Sequence, residues 1–123
     1  MKYLFTGITS VLILIAVILP GSTIPDVGFI GFDKVVHIGM FGTWAVAVCY
    51  DFNARGYRHA GTFTAGLAFS LLTEVVQIFV EGRTFDWSDM VADAIGLFLG
   101  LVLAGAIIRL IRKIFNIDSS KPS

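Results

Sequence analysis

Apolar residues dominate this chain in four stretches, which are separated by shorter segments with turn-forming and charged residues. A hydrocarbon core about 30 Å thick is crossed by about 20 residues of α-helix, and each stretch approaches that length. The predicted helices are Leu4 to Leu19, Val35 to Tyr50, Ala60 to Val80 and Met90 to Phe115. The pattern predicts an all-α, polytopic membrane protein in which four transmembrane helices form an antiparallel bundle.

The composition agrees with a location in a membrane. Of the 123 residues, 56% are hydrophobic and 15% are charged, and the mean hydropathy is +0.85. A soluble domain of this length has no core large enough to bury so much apolar surface. The formal net charge is zero, so no basic surface points to nucleic acid. We expect one transmembrane domain over residues 1–123, because no internal repeat or domain boundary is evident.

The distribution of Lys and Arg predicts the orientation. If the stretches cross the membrane in turn, Lys34 and Arg83 fall on one side. The other seven basic residues fall on the opposite side: Lys2, Arg55, Arg58, Arg109, Arg112, Lys113 and Lys121. Because basic residues are retained in the cytoplasm, we expect both termini there and a multi-pass chain in the cytoplasmic membrane. The first stretch could instead be a cleaved signal peptide, but no small-x-small cleavage site follows it.

In this orientation, most polar residues of the last three stretches lie at the outer surface. They are Asp33, Lys34, His37, Glu74, Gln77, Arg83, Asp86, Asp89 and Asp93. The spacing is four residues from Asp33 to His37 and three from Glu74 to Gln77, and Asp86, Asp89 and Asp93 stand at i, i+3 and i+7. Each set therefore shares one helix face. An ionisable side chain in hydrocarbon costs about 2.5 to 3.5 kcal/mol, so such residues usually face protein or a water-filled cavity. We therefore predict that these residues converge on one site.

Several of these residues also have a purely structural interpretation. Asp33 and Asp86 stand where helix N-caps belong, and Asp89 and Asp93 gain from the positive end of a helix. His37 could make a hydrogen bond between two helices. Glu74 lies in a helix interior, where capping is unavailable, so a site role or an ion pair is its best interpretation.

Charge limits what the predicted site could bind. Five acidic residues stand against Lys34 and Arg83, an excess of three negative charges before His37 is counted. Protonated carboxyl groups, a protonated His37, or a divalent cation held by Asp, Glu and His would relieve this excess. A phosphate would need Arg83, Lys34 or such a metal to receive it. The sequence does not decide whether a metal is present.

Small residues predict close contacts between helices. They recur every four residues along the fourth stretch, at Ala92, Gly96, Gly100 and Ala104, and allow a neighbouring backbone to approach. On the third stretch, Gly66 and Ser70 share the face of Glu74. We therefore predict that the third and fourth helices meet, with Glu74 and Asp93 directed into the same space.

The order of these motifs resembles the VanZ-like family of small membrane proteins. The motifs are Asp33-Lys34-x-x-His37 with Phe41, Thr73-Glu74-x-x-Gln77, and Gly82-Arg83-Thr84 followed by Asp86, Asp89 and Gly96. They cover about residues 31 to 100. Asp93 departs from the family pattern, in which Asn is more frequent. The resemblance implies a multi-helix domain of the cell envelope, whose named member is associated with low-level resistance to the glycopeptide teicoplanin.

Two classes of function fit these residues. An enzyme would act on a lipid headgroup or lipid-linked envelope precursor, with Glu74, His37 and Asp89 as candidate catalytic residues. Its candidate substrate-binding residues are Arg83, Lys34, Gln77, Asp33, Asp86 and Asp93. Alternatively, a non-catalytic accessory or structural protein would use the same residues to bind a lipid or to fix helix packing. The expected partner in either class is a membrane lipid or lipid-linked precursor, and the oligomeric state stays open.

Overall fold

Four α-helices account for most of the chain. The computed structural model describes residues 3–19, 31–52 and 58–115. The helices are α1 Leu4–Ile18, α2 Phe32–Phe52, α3 Arg58–Gln77 and α4 Trp87–Ile114, and the described residues contain no strand. The prediction of an all-α protein is confirmed. Most of the first two connections lies outside the described residues, as do three of the basic residues used to predict the orientation: Lys2, Arg55 and Lys121.

The helix ends differ from the predicted ends by a few residues. α2 and α4 each begin three residues earlier than predicted, at Phe32 and Trp87. α3 ends at Gln77, because turns over 78–82 replace the helix and Gly82 adopts a φ of 77°. Before α4, the carboxylate of Asp86 accepts hydrogen bonds from the N–H and the hydroxyl of Ser88. Asp86 therefore caps α4, as the structural interpretation of this residue predicted.

Consecutive helices run in opposite directions. The N–H of Thr6 near the start of α1 donates to Asp51 near the end of α2, at 2.6 Å. One turn further along α1, the indole N–H of Trp44 donates to Ser10. Asp93 near the start of α4 contacts both His37 of α2 and Ser70 of α3. The end of α1, the start of α2, the end of α3 and the start of α4 therefore lie at the same end of the bundle. We call this the site end.

The closest helix pair is α2 and α4, which run parallel and touch through glycine. A Cβ at Gly96 would lie 2.9 Å from the Cα of Ile38, and a Cβ at Gly42 would lie 3.2 Å from the carbonyl oxygen of Gly96. The small residues of α4 thus do admit a neighbouring backbone, and the neighbour there is α2. α3 reaches α4 beside this seam, where Gly66 packs against the side chain of Leu97.

The core of the bundle is apolar, and so is much of its outer surface. Core side chains from α1, α2 and α4 are Ile13, Val17, Phe41, Trp44, Ala45, Val48, Cys49, Leu97, Leu101 and Ala104. Every helix also exposes large apolar side chains, for example Leu12, Val36, Leu72 and Phe98. Water disfavours so much exposed apolar surface, whereas lipid does not.

Two helices are long and apolar enough to cross a membrane. These are α2 over Phe32–Phe52 and α4 over Trp87–Leu110. α1 is apolar but has 15 residues, and α3 is long enough but less apolar. The described residues therefore support a membrane protein with two candidate spans, and the predicted bundle of four spans is not confirmed.

Candidate functional site

The polar residues predicted to converge do lie together at the site end. Five are buried, with exposed fractions below a tenth: His37, Glu74, Gln77, Asp89 and Asp93. Lys34, Arg83 and Asp86 are half-buried, and Asp33 is exposed. They come from α2, α3, α4 and the loop between α3 and α4. The spacing within each helix was therefore a sound guide to which side chains share the bundle interior.

A carboxylate and an imidazole form the buried centre of this cluster. Nδ1 of His37 lies 2.7 Å from Oδ1 of Asp93. The other oxygen of Asp93, Oδ2, accepts a hydrogen bond of 2.5 Å from the hydroxyl of Ser70 on α3. On the opposite edge of the ring, Nε2 of His37 lies 3.7 Å from Oδ2 of Asp89. The hydrogen bond to Asp93 orients the imidazole, and Asp89 places a second carboxylate near its other edge.

Glu74 is fully buried and only half satisfied. Its Oε2 accepts a hydrogen bond of 3.1 Å from the backbone N–H of Asp86, which ties the end of α3 to the loop before α4. Its Oε1 is buried and has no hydrogen-bond partner among the described residues. Leaving a buried acceptor unsatisfied costs about 1 to 3 kcal/mol, and more for a charged group. The sequence predicted correctly that Glu74 lies in the protein interior.

Lys34 joins three aspartates at the rim of the cluster. Its ammonium lies 2.9 Å from Asp33 and 3.0 Å from Asp86, and it makes its closest contact with Asp89. An ammonium has three N–H donors, so these three carboxylates use all of them. Lys34 was predicted to hold substrate, but its donors are committed to these aspartates here.

Asp86 is ionised at neutral pH. Hydrogen bonds from Ser88 and the ion pair with Lys34 lower the pKa of its carboxyl from 3.8 to about 2. The residue therefore keeps its negative charge while it caps α4 and contacts Lys34. This arrangement makes Asp86 part of the scaffold around the buried centre.

A cleft beside the centre combines aliphatic walls with polar groups. It has a volume of about 220 Å³, and Asp33, His37, Gln77 and Arg83 supply its polar lining. The aliphatic and aromatic lining comes from α1, α2 and the residue that follows α1: Ala16, Val17, Leu19, Phe32, Val36 and Met40. The Nε of Arg83 donates to the carbonyl of Leu19 at 3.1 Å, which fixes the guanidinium at the cleft.

Three side chains of the centre are placed to hold a metal ion. One potential ligand atom each from His37, Glu74 and Asp93 lies within 4.8 Å of the others. The prediction that Glu74 and Asp93 point into the same space is therefore confirmed. Such a group can bind a cation or, without one, move a proton through the imidazole.

Sequence reasoning did not assign site roles to Ser70 and Thr73. Ser70 bonds Asp93, and the Thr73 hydroxyl donates to the Ser70 carbonyl at 2.7 Å, while both are fully buried. The sequence signal was the position of Ser70 four residues before Glu74, which puts both on one face of α3. It was used to predict helix contact, but it also located a partner for Asp93.

A model of the VanZ/LLP1 family matches residues 3–110 of the chain. The match includes all of α1, α2 and α3, most of α4, and every residue of the candidate site. No curated protein and no solved structure matches the chain.

Proposed function

The chain belongs to the VanZ/LLP1 family, and from this premise we propose that it acts on the phosphate-bearing headgroup of a membrane lipid or lipid-linked envelope precursor. The observation that carries the proposal is a buried group of ionisable side chains next to a cleft with aliphatic walls. A network that served only to fix helix packing would satisfy its buried carboxylates. The unpartnered Oε1 of Glu74 instead indicates a group kept for a ligand, at a cost to stability.

In this proposal, all four helices span the cytoplasmic membrane. α2 and α4 are long and apolar enough, and α1 and α3 pack along them with exposed apolar side chains of their own. α1 has 15 residues and rises about 1.5 Å per residue, so the bilayer thins locally or flanking residues complete the span. The seven-to-two division of basic residues puts both termini in the cytoplasm and the site end outside.

The cleft offers a place for each part of such a substrate. The side chains of Val17, Val36 and Met40 suit an acyl or isoprenoid chain. Arg83 and Gln77 lie where a phosphate or its oxygen substituents would be held. Unlike Lys34, the half-buried Arg83 forms no ion pair with an aspartate among the described residues. His37 lines the cleft and belongs to the buried centre, so it connects the bound headgroup with the reacting groups.

The proposed reaction is displacement at phosphorus. Water or another hydroxyl adds to the phosphorus atom, the bond to the leaving alcohol or phosphate oxygen breaks, and the proton lost by the nucleophile reaches the leaving oxygen. His37, oriented by Asp93, can take and return this proton, or a cation held by the buried centre can activate the nucleophile. Glu74 and Asp89 are the other buried carboxylates of the cluster. Among the described residues, Ser70 is the one serine or cysteine at the buried centre, and its hydroxyl is bonded to Asp93. Direct displacement is therefore favoured over a covalent intermediate on serine or cysteine.

The test is a mass-spectrometric assay in proteoliposomes. Purified wild-type protein is incubated with phospholipids and with polyprenyl phosphates and diphosphates, and the lipid products are identified by mass. We expect a product that Glu74→Gln and His37→Gln abolish and that Asp51→Asn, at the opposite end of the bundle, leaves unchanged. A broad panel with no product that depends on Glu74 would overturn the enzymatic proposal.

A second candidate is a non-catalytic accessory protein that binds the same lipids. The observation in its favour is Lys34, which has three ion pairs. Two of them connect α2 with α4 and with the loop that precedes α4, as a packing network requires. For this candidate, lipid binding in native mass spectrometry would depend on Arg83 without any turnover.

A role in glycopeptide resistance belongs to either candidate. It predicts a higher inhibitory concentration of teicoplanin in a sensitive host that expresses the wild type than in one that expresses Glu74→Gln.

A further inference from the structure

Three helices each contribute one metal-ligating side chain to a single buried point. His37 comes from α2, Glu74 from α3 and Asp93 from α4, and their ligand atoms lie within 4.8 Å of one another. All three side chains are at least nine-tenths buried. Metal sites in helical bundles are commonly built in this way, from inward-facing side chains on neighbouring helices.

Each of the two carboxylates has one oxygen bonded to a group outside the three candidate ligands. Oδ2 of Asp93 accepts from Ser70, and Oε2 of Glu74 accepts from the N–H of Asp86. The second oxygen of Asp93 faces Nδ1 of His37 at 2.7 Å, and the second oxygen of Glu74 has no partner among the described residues. Ligating carboxylates typically have such hydrogen bonds from groups outside the ligand set. The second oxygen of each carboxylate thus faces either another candidate ligand or no partner among the described residues.

The charges around this point also favour a bound cation. The three donors of Lys34 are used by Asp33, Asp86 and Asp89, so Lys34 does not neutralise Glu74 or Asp93. The described residues place no Lys or Arg in an ion pair with either of these two buried carboxylates. Two negative charges in a buried site match one divalent ion.

We propose that His37, Glu74 and Asp93 bind a divalent transition-metal ion, for which Zn²⁺ is the probe. A donor set of one imidazole nitrogen and two carboxylate oxygens suits Zn²⁺ or Mn²⁺ better than Mg²⁺ or Ca²⁺, which prefer oxygen, or Cu⁺, which prefers sulfur. Three protein ligands leave a coordination position for water or for a phosphate oxygen. Asp89 lies 3.7 Å from Nε2 of His37, on the side of the ring where ligating imidazoles usually have an outer carboxylate.

This site deepens the proposed function and rests on it for its chemical role. A phosphate is repelled by the excess of acidic side chains, and a bound divalent ion supplies the positive charge that would receive it. The same ion would activate the attacking water. The binding of the ion itself does not require that any reaction occurs.

The test measures metal binding directly on the full chain. Protein purified in detergent is stripped with a chelator, dialysed and titrated with ZnCl₂, with stoichiometry from elemental analysis and affinity from calorimetry. We expect one Zn²⁺ per wild-type chain and at least a tenfold loss of affinity in Glu74→Gln and Asp93→Asn. Ser70→Ala, which keeps all three ligands, is expected to lose about 10-fold to 100-fold. Asp51→Asn, far from the site, should bind as the wild type does.

Helical circular dichroism and gel filtration establish that each variant is folded. If the ligand variants do not fold, Ser70→Ala carries the test. Failure of the wild type to bind Zn²⁺ or Mn²⁺, or equal affinity in the wild type and all folded variants, would overturn the inference. Metal binding without lipid turnover would leave the site standing and refute the enzyme, whereas lipid turnover by a wild type that binds neither Zn²⁺ nor Mn²⁺ would refute the site and leave the enzyme standing.

Discussion

Gly96 of α4 packs against the backbone of Ile38 in α2 with no space for a side chain between them. A Cβ added at Gly96 would lie 2.9 Å from the Cα of Ile38 and 3.0 Å from its carbonyl carbon. These neighbours are backbone atoms of a helix, so they cannot turn aside as a flexible side chain would. The contact sets the distance between α2 and α4. It therefore also sets the distance between His37, the residue before Ile38, and Asp93, which lies about one turn before Gly96.

Gly96→Ala should lower the free energy of unfolding by about 3 kcal/mol, since it forces two helix backbones apart. The measurement is thermal unfolding in detergent, followed by circular dichroism. Gly105→Ala on the same helix is the matched control, because a Cβ there meets nothing within 4 Å and alanine favours helix by up to about 1 kcal/mol. Equal unfolding midpoints for the two variants would contradict the close contact.

Much of this fold and site could be predicted from the sequence, because burying polar groups costs free energy. Membrane helices are therefore apolar, and an ionisable residue within one is conspicuous. Apolar stretches located the four helices, and ionisable residues inside them, above all Glu74, located the site. The pattern of small residues does not identify the helix that packs against them. The spacing of Gly96 and Gly100 predicts that some backbone comes close, but only the fold shows that it belongs to α2.

The contacts of neutral side chains, and of a charged side chain with several partners, were also hard to predict. A buried hydroxyl such as Ser70 costs little and resembles any small helix residue, so its bond to Asp93 left no clear signal. The three partners of Lys34 come from separate parts of the chain, because Asp33 precedes it while Asp86 and Asp89 follow α3. Sequence spacing therefore did not indicate that they use all its donors.

Removing Lys34 should expose the repulsion among its aspartates. We expect Lys34→Met to lower the free energy of unfolding by about 2 kcal/mol, less than for a fully buried pair because the side chain is partly exposed. Lys34→Met with Asp89→Asn should recover part of the loss, since one of the negative charges is then gone. Chemical unfolding in detergent measures both, with Lys113→Met at an exposed position as the control. A neutral effect of Lys34→Met would mean that its ion pairs contribute nothing to the scaffold.

The proposed orientation predicts a labelling pattern in whole cells. In a Cys49→Ala background, which removes the buried native thiol, Ser88→Cys places a reactive thiol at the site end and Lys113→Cys places one at the opposite end. A membrane-impermeant maleimide should label Ser88→Cys in intact cells and should label Lys113→Cys only after permeabilisation. The reverse pattern would place the site in the cytoplasm, and the substrate would then belong to the inner leaflet.

Glu74→Gln distinguishes a functional carboxylate from a structural one by its effect on stability with and without metal. In metal-free protein, we expect its unfolding midpoint to equal or exceed that of the wild type. The amide oxygen can still accept from Asp86, and the buried charge with the unpartnered Oε1 is gone. With Zn²⁺ at about 100 times its dissociation constant, the wild type should gain about 2.7 kcal/mol and the variant much less. Thermal unfolding in matched detergent, with and without ZnCl₂, measures both effects. A fall of many degrees in the metal-free variant would instead show that Glu74 holds the bundle together. The search for function would then move from the buried centre to the cleft around Arg83.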